Sequence, residues 1–305
     1  MPSWSVSFSI NLAAAARGGV KHRYMPELPE VETIARGLRA LLQNRCIERV
    51  DLIYAGSVQS DPQAFADLLP GQSILDVSRR GKLLLFHLSA GLCLASHLKM
   101  TGKFLLFPPE KREIDIHDRC IVHLDDASSL VFKDQRKFGY LRLMTRDELM
   151  VWPFFAQLGP EPLEMTEDDF ISRLHSRRAT IKSLLLDQTC IAGIGNIYAD
   201  ESLHLAGIHP QAPGDTLPRE KLKSLYHGLL QVLNLALEAG GSSFRDYVDG
   251  LGRPGSYQDT FLVYGRRGQA CRNCGSGLEK IQVAGRTSMF CPCCQPQNPF
   301  SITPE

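Results

Sequence analysis

Met25-Pro26-Glu27-Leu28-Pro29-Glu30-Val31-Glu32-Thr33 is the stretch that decides how the chain is read. Pro29 suits the first turn of a helix, and Val31, Ile34, Leu38, Leu41 and Leu42 then recur at helical spacing. A helix therefore follows the prolines directly. Pro26 belongs to the second Met-Pro of the chain, and its chemistry depends on one peptide bond. Inside a chain its nitrogen is a tertiary amide with no usable lone pair. At a free N-terminus it is a secondary amine with an α-amino pKa of about 8, partly unprotonated near neutral pH. Met1-Pro2 is no substitute, because Ser3 follows it where Glu27 follows Pro26.

Upstream, residues 1–24 lack Asp and Glu, alternate Ser3, Ser5, Ser7 and Ser9, run through Ala13–Ala16 and carry Arg17, Lys21 and Arg23. Three readings fit: a reading frame extended upstream of a true initiator at Met25, a transit or signal peptide, or a retained segment. The first is preferred, which leaves residues 1–25 outside the mature fold. Downstream, between Ile47 and Met144, the runs Ser73–Ser78, Leu83–Leu88, Leu92–His97, Lys103–Phe107, Cys120–Leu124, Leu130–Lys133 and Gly139–Leu143 are strand-length, apolar and separated by turn residues. They predict a β-sandwich. Trp152–Met165, rich in Pro and Gly, reads as a linker. Helical patterns follow over Glu167–His175, Thr180–Leu186, Asn196–Ala206, Arg219–Ala239 and Ser243–Gly250, then a glycine-rich stretch from Gly250 to Gly255 and a β-hairpin. The class is thus α+β, with several domains.

The chain has 305 residues, 44% hydrophobic and 22% charged, an ordinary globular composition with room for two domains. No apolar run approaches the roughly 20 residues of a membrane span. The formal charge of +1 announces no polyanion partner. Between Phe261 and Cys291, however, five bases (Arg266, Arg267, Arg272, Lys280, Arg286) face one acid, Glu279. That local excess suits a nucleic-acid contact, or merely a solvated surface.

Four of the nine cysteines form Cys271-x2-Cys274-x16-Cys291-x2-Cys294. Two such knuckles match a tetrahedral zinc site, and four thiolates leave no open position, so the metal is structural. Cys293 lies inside the second knuckle, but the spacing favours Cys294. Cys46, Cys93, Cys120 and Cys190 stand in apolar sequence and read as core. Four further groups are candidates. Gly193-Ile194-Gly195-Asn196 opens a helix whose N–H groups suit a phosphate, with Arg177, Arg178 and Lys182 upstream. Asp134-Gln135-Arg136-Lys137-Phe138-Gly139 and His97-Leu98-Lys99-Met100-Thr101-Gly102 offer a wedge of Arg136, Phe138 and Met100 for a base stack. Arg79-Arg80-Gly81-Lys82 sets a lysine at a strand mouth. Arg286 lies five residues before Cys291.

Together these motifs resemble the formamidopyrimidine-DNA glycosylases. The match runs from Met25 to about Gln295 and includes Pro-Glu-Leu-Pro-Glu at 26–30, His-Leu-Lys-Met-Thr-Gly at 97–102, Arg-Lys-Phe-Gly at 136–139, Leu-Gly-Pro-Glu-Pro-Leu at 158–163, Gly-Ile-Gly-Asn-Ile-Tyr-Ala at 193–199, Val-Tyr-Gly-Arg at 263–266 and the four cysteines. The resemblance implies a catalytic β-sandwich domain over 26–151 flanked by helices, a linker over 152–165, a helix-two-turn-helix domain over 166–258, a zinc-finger hairpin over 259–295 and a disordered tail over 296–305. It implies excision of 8-oxoguanine and formamidopyrimidines from double-stranded DNA, then strand cleavage by β,δ-elimination. By the same resemblance Pro26 is the nucleophile, Glu27 a proton shuttle, Lys82 a catalytic lysine and Arg286 the zinc-finger arginine. Met100, Arg136 and Phe138 fill the gap left by the flipped base. His117, Arg177, Lys182 and Asn196 contact DNA, and Gly252–Tyr257 closes on the base. Leu28 and the intact trio point to purine rather than pyrimidine lesions. The expected partner is damaged duplex DNA, the expected state a monomer, and the expected location the bacterial cytoplasm, with organelle targeting by residues 1–24 as the alternative. A non-catalytic damage sensor follows if those residues stay attached; a bare zinc-ribbon module explains only the C-terminal hairpin.

Overall fold

The structure is a computed structural model that describes residues 25–109, 112–242 and 254–297. Helix α1 (Leu28–Leu42) buries Val31, Ile34, Leu38 and Leu42, the stripe expected from the sequence. Strand β1 (Ile47–Leu52) follows, then α2 (Pro62–Leu68), β2 (Ile74–Arg80), β3 (Leu83–Leu88), β4 (Leu92–His97), β5 (Gly102–Phe107), β6 (Asp118–Leu124), β7 (Ser129–Asp134) and β8 (Tyr140–Thr145). They form two four-stranded antiparallel sheets, ordered β1-β6-β7-β5 and β2-β3-β4-β8.

The alternation of side chains along β3 explains its apolar run Leu83–Phe86. Leu84 and Phe86 face the core shared by the two sheets, where Phe104 lies 5.1 Å from both Phe86 and Phe132 between ring centroids. Leu83 and Leu85 face the other way, with Cys93, Ala95 and Met144, under Leu149, Trp152 and Phe155. Those last residues belong to α3 (Arg146–Val151), α4 (Pro153–Ala156) and the Trp152 between them. A strand covered on both sides needs apolar residues at every position.

Three short helices, α2, α3 and α4, were not legible in the pattern. α2 buries chiefly Phe65, and its signals are Pro62 at the first helical position and the N-cap Asp61, which accepts from the Gln63 and Ala64 amides. α4 lies inside the expected linker, and the remainder of that linker is pinned rather than loose. The buried Glu161 carboxylate accepts from Gly81 N–H at 2.6 Å, Arg79 at 2.5 Å and Arg80 at 3.0 Å.

The second half holds α5 (Glu167–His175), α6 (Ile181–Leu186), α7 (Asn196–Ala206) and α8 (Arg219–Glu238), then the hairpin β9 (Glu279–Val283) and β10 (Arg286–Phe290). α8 packs on α7 and α5 and also reaches α1, so the two halves share one continuous core. The helix expected over Ser243–Gly250, residues Gly252 and Arg253 of the expected closing loop, and residues 298–305 of the expected tail lie outside the described residues. Among the described residues no helix is long and apolar enough to cross a membrane.

Candidate active site

Pro26–Leu28 docks onto the turn before α7. Leu28 N–H donates to Gly193 O at 3.0 Å, and the glycines permit the approach. Gly193 has φ +85°, and a Cβ there would meet Leu28 at 2.8 Å. A Cβ on Gly195 would meet the Glu27 carboxyl carbon at 2.2 Å. Glu27 itself is buried, its Oε1 accepting from Ile197 N–H at 3.0 Å and its Oε2 from Tyr198 N–H at 3.4 Å. This corrects one expectation. Two N–H groups of the α7 N-terminus that suited a phosphate are taken by the chain's own carboxylate.

Burial pushes the Glu27 carboxyl up from 4.5 to about 7, with Lys82 opposing and Glu30 reinforcing the rise. Glu30 is fully buried below it. Its Oε2 accepts from Glu27 N–H at 2.9 Å, while Oε1 accepts from Ser242 N–H at 2.8 Å and from the Tyr198 hydroxyl at 2.5 Å. Lys82 arrives from the β2–β3 turn and donates its Nζ to Ile194 O at 2.8 Å. Burial lowers its pKa, Glu27 and Glu30 oppose that, and Arg286 lowers it further. Glu27 and Lys82 thus meet at one turn, with Pro26 next to Glu27 in the chain. A carboxyl that holds a proton near neutrality, beside a lysine whose ammonium form is disfavoured, is equipped for proton transfer at an adjacent reacting carbon.

Arg286 is exposed at the first position of β10, after the two-residue turn Ala284–Gly285 with both φ positive, at 48° and 69°. Lys182, expected as a phosphate contact, does not have that geometry. Its side chain is fully buried, with Nζ 2.6 Å from Asp200, because an ammonium removed from water needs a carboxylate beside it. Asn196 is likewise committed, its Nδ2 donating to Thr287 O at 2.9 Å. Arg177 remains half-exposed and pairs with Asp187 at 3.1 Å. His117 stands half-exposed just ahead of β6.

Met100, Arg136 and Phe138 come together. Arg136 Nη1 lies 2.9 Å from Met100 Sδ, its guanidinium sits 4.7 Å above the Phe138 ring, and Phe138 is 54% exposed. The two turns that carry them are fastened by Asp134, which sequence reasoning did not single out. Its carboxylate accepts from Arg136 N–H, Gly139 N–H and the Thr101 hydroxyl. His97, pushed down to about 3 by burial, keeps Nδ1 free to accept from Lys99 N–H at 3.0 Å, where Lys99 holds φ 52°. Glu30, Asp200 and Glu201 were also missed. Glu201 accepts from three successive amides, Leu262, Val263 and Tyr264, and so fixes the entry to the hairpin. Buried acids on mostly apolar helix faces were the available signal for all three.

The Sγ atoms of Cys271, Cys274, Cys291 and Cys294 lie within 4.8 Å of one another. Cys271 and Cys294 are 3.9 Å apart, and Cys274 and Cys291 are 3.4 Å apart. Tetrahedral zinc–thiolate geometry calls for sulfur separations of roughly 3.8 Å, so the four residues fit one structural zinc.

The comparisons with known proteins follow the same three parts. A model of the formamidopyrimidine-DNA glycosylase N-terminal domain matches residues 25–141, and the model of that enzyme's H2TH domain matches 158–248. A zinc finger found in FPG and IleRS matches 268–297. The formamidopyrimidine-DNA glycosylase of Desulfitobacterium hafniense is 43% identical over 274 residues, covering 89% of this chain and all of the relative. The chain belongs to the formamidopyrimidine-DNA glycosylase family. The Chloroflexus aurantiacus member is 46% identical over 274 residues, covering 89% of this chain and 98% of its own length. Among solved structures, a Lactococcus lactis FPG variant in complex with a Fapy-dG-containing DNA superposes with a TM-score of 0.84 at 36% identity, covering 89% of this chain and all of that one. The same bacterium's Fpg bound to DNA with an abasic site gives 0.82 at 36% identity, covering 88% of this chain and 99% of that one. The family's zinc finger is the hairpin with the four thiolates, and the protein is a DNA glycosylase of this family.

Proposed function

We propose that the protein excises 8-oxoguanine and formamidopyrimidines from duplex DNA and then cleaves the strand, through a Schiff base on the Pro26 nitrogen. The observation that carries the reading is the meeting of Lys82 with a carboxyl poised near neutrality, Glu27, at the mouth of α7, with Pro26 next to Glu27 in the chain. The free secondary amine attacks C1′, and the bond to the damaged base breaks with its electron pair leaving on the base. Opening of the sugar ring leaves an iminium, a permanent cation and hence an electron sink. Loss of a C2′ proton then expels the 3′ phosphate, and a second elimination expels the 5′ phosphate. Glu27 moves the proton at the sugar ring oxygen, and Lys82 holds a phosphate beside it. Met100, Arg136 and Phe138 fill the space vacated by the flipped nucleotide, which offsets part of the unstacking cost of a few kcal/mol. Arg286, His117 and Arg177 meet the DNA backbone. The zinc holds together a hairpin too small for its own core and supplies no chemistry. The protein acts as a monomer on damaged duplex DNA in the bacterial cytoplasm.

The test is borohydride trapping on an 8-oxoguanine duplex. A chain beginning at Pro26 gives a covalent protein–DNA band, and its Pro26→Gly form gives far less while still binding. A chain that retains residues 1–24 binds and does not trap. No covalent band from the chain beginning at Pro26 sinks the proposal.

A further inference from the structure

His204 takes no part in the chemistry at Pro26, yet it is buried in a position that a solvent-shunning leucine would fill more cheaply. It lies on α7 eight residues after Asn196 and four after Asp200, so the three share one helix face. Each touches the zinc hairpin at a different height. Asn196 holds Thr287 O at 2.9 Å, and Asp200 accepts from the Ser288 hydroxyl at 2.7 Å and Met289 N–H at 3.0 Å. His204 Nδ1 lies 3.2 Å from Gln295 Oε1, and its Nε2 lies 4.0 Å from Cys271 Sγ. Gln295 is fully buried and cannot be turned over. Its Nε2 donates to Ile208 O at 2.8 Å, so Oε1 must be the acceptor, and it already receives Cys291 N–H at 2.9 Å. His204 Nδ1 therefore carries the proton and donates it to Gln295.

We propose that His204, through Gln295, is a positioning residue that seats the zinc knuckles on α7 and thereby fixes Arg286 at the far end of the same hairpin. The thiolates close the metal site but do not orient it against the rest of the protein. The Asn196–Asp200–His204 face does, because a hairpin held at both ends of one rigid helix cannot pivot. Outer contacts of this kind tune how firmly a metal is retained.

The full chain serves for the test, with zinc release into a colorimetric chelator as the first readout. His204→Phe keeps a ring of similar size and removes the donor. It is expected to release zinc on the order of tenfold faster, the effect of one buried hydrogen bond. His204→Gln, which retains an N–H donor, restores slow release. Gln295→Met removes the other partner together with its bonds to Ile208 O and Cys291 N–H, so it is expected to release zinc at least as fast as His204→Phe, and the double variant to be no faster than Gln295→Met. The second readout rests on the glycosylase reading: His204→Phe weakens binding to a lesion duplex several-fold while the rate at saturating DNA changes less. Release from His204→Phe within twofold of the parent overturns the proposal. So does a double variant whose two effects simply add. Should His204→Phe fail to fold, Gln295→Met against His204→Gln decides by the same measurement. A parent chain that binds no lesion duplex would refute the glycosylase reading and leave the zinc result standing.

Discussion

Replacing Gly195 with alanine adds one methyl group at the closest approach found for a Cβ among the described glycines. The backbone there has φ −128° and ψ −159°, extended values that alanine adopts freely, so any effect is steric. The new Cβ would lie 2.2 Å from Glu27 Cδ, 2.5 Å from Oε1 and 2.6 Å from Cγ. No real contact is that short, so something must move. If the helix yields, overpacking costs about 1–3 kcal/mol. If Glu27 yields, it gives up its two amide donors on Ile197 and Tyr198, at about 1.5–3 kcal/mol each. The cheaper response sets the loss at roughly 2–3 kcal/mol, or on the order of 5–10 °C in melting temperature. Either response parts the Glu27 carboxyl from the α7 amides and disturbs its placement against Lys82 and Pro26, so borohydride trapping falls by two orders of magnitude or more. Differential scanning fluorimetry and trapping on an 8-oxoguanine duplex measure the two effects. A cycle with Glu27→Gly isolates the cause, because in that background the alanine costs almost nothing in stability yet activity stays low. A Gly195→Ala protein that melts and traps like its parent would refute the claim that this turn exists to receive Glu27.

The remaining predictions use neighbouring groups. Glu27 is an acid whose folded pKa, about 7, lies above its ordinary 4.5. The folded state therefore holds the proton more tightly, and this group's stability is full below about pH 4.5 and lost as pH rises through 7. Urea midpoints at pH 5 and 7.5 should drop less for Glu27→Gln than for the parent over that interval. Lys182→Met should cost about 3–5 kcal/mol by stranding Asp200, and Lys182→Met with Asp200→Leu should recover part of it in urea unfolding. Phe138→Ala removes a ring that is half in water, so melting should hold within about 0.5 kcal/mol while affinity for a lesion duplex, by fluorescence anisotropy, falls several-fold. Chelation of zinc should unfold the 279–290 hairpin and abolish duplex binding while leaving the melting of the sandwich in place.

Sequence alone determined what rests on spacing along the chain. The α1 stripe, most of the strands, the long helices and the four-thiolate hairpin follow from local periodicity and from the reach of two cysteines across one turn. It also supplied the candidates for the proposed chemistry, Pro26 and Glu27, by their adjacency in the chain, while burial in the fold raised the Glu27 carboxyl. Tertiary structure decided where the polar groups spend their hydrogen bonds. From sequence, the α7 N-terminus and Lys182 both look free to take a phosphate. In the fold Glu27 occupies the first and Asp200 neutralises the second, since a buried charge must find its partner inside the protein. Glu30, Glu201 and His204 were silent for the same reason: each acts on residues far along the chain, and only packing brings those partners within reach.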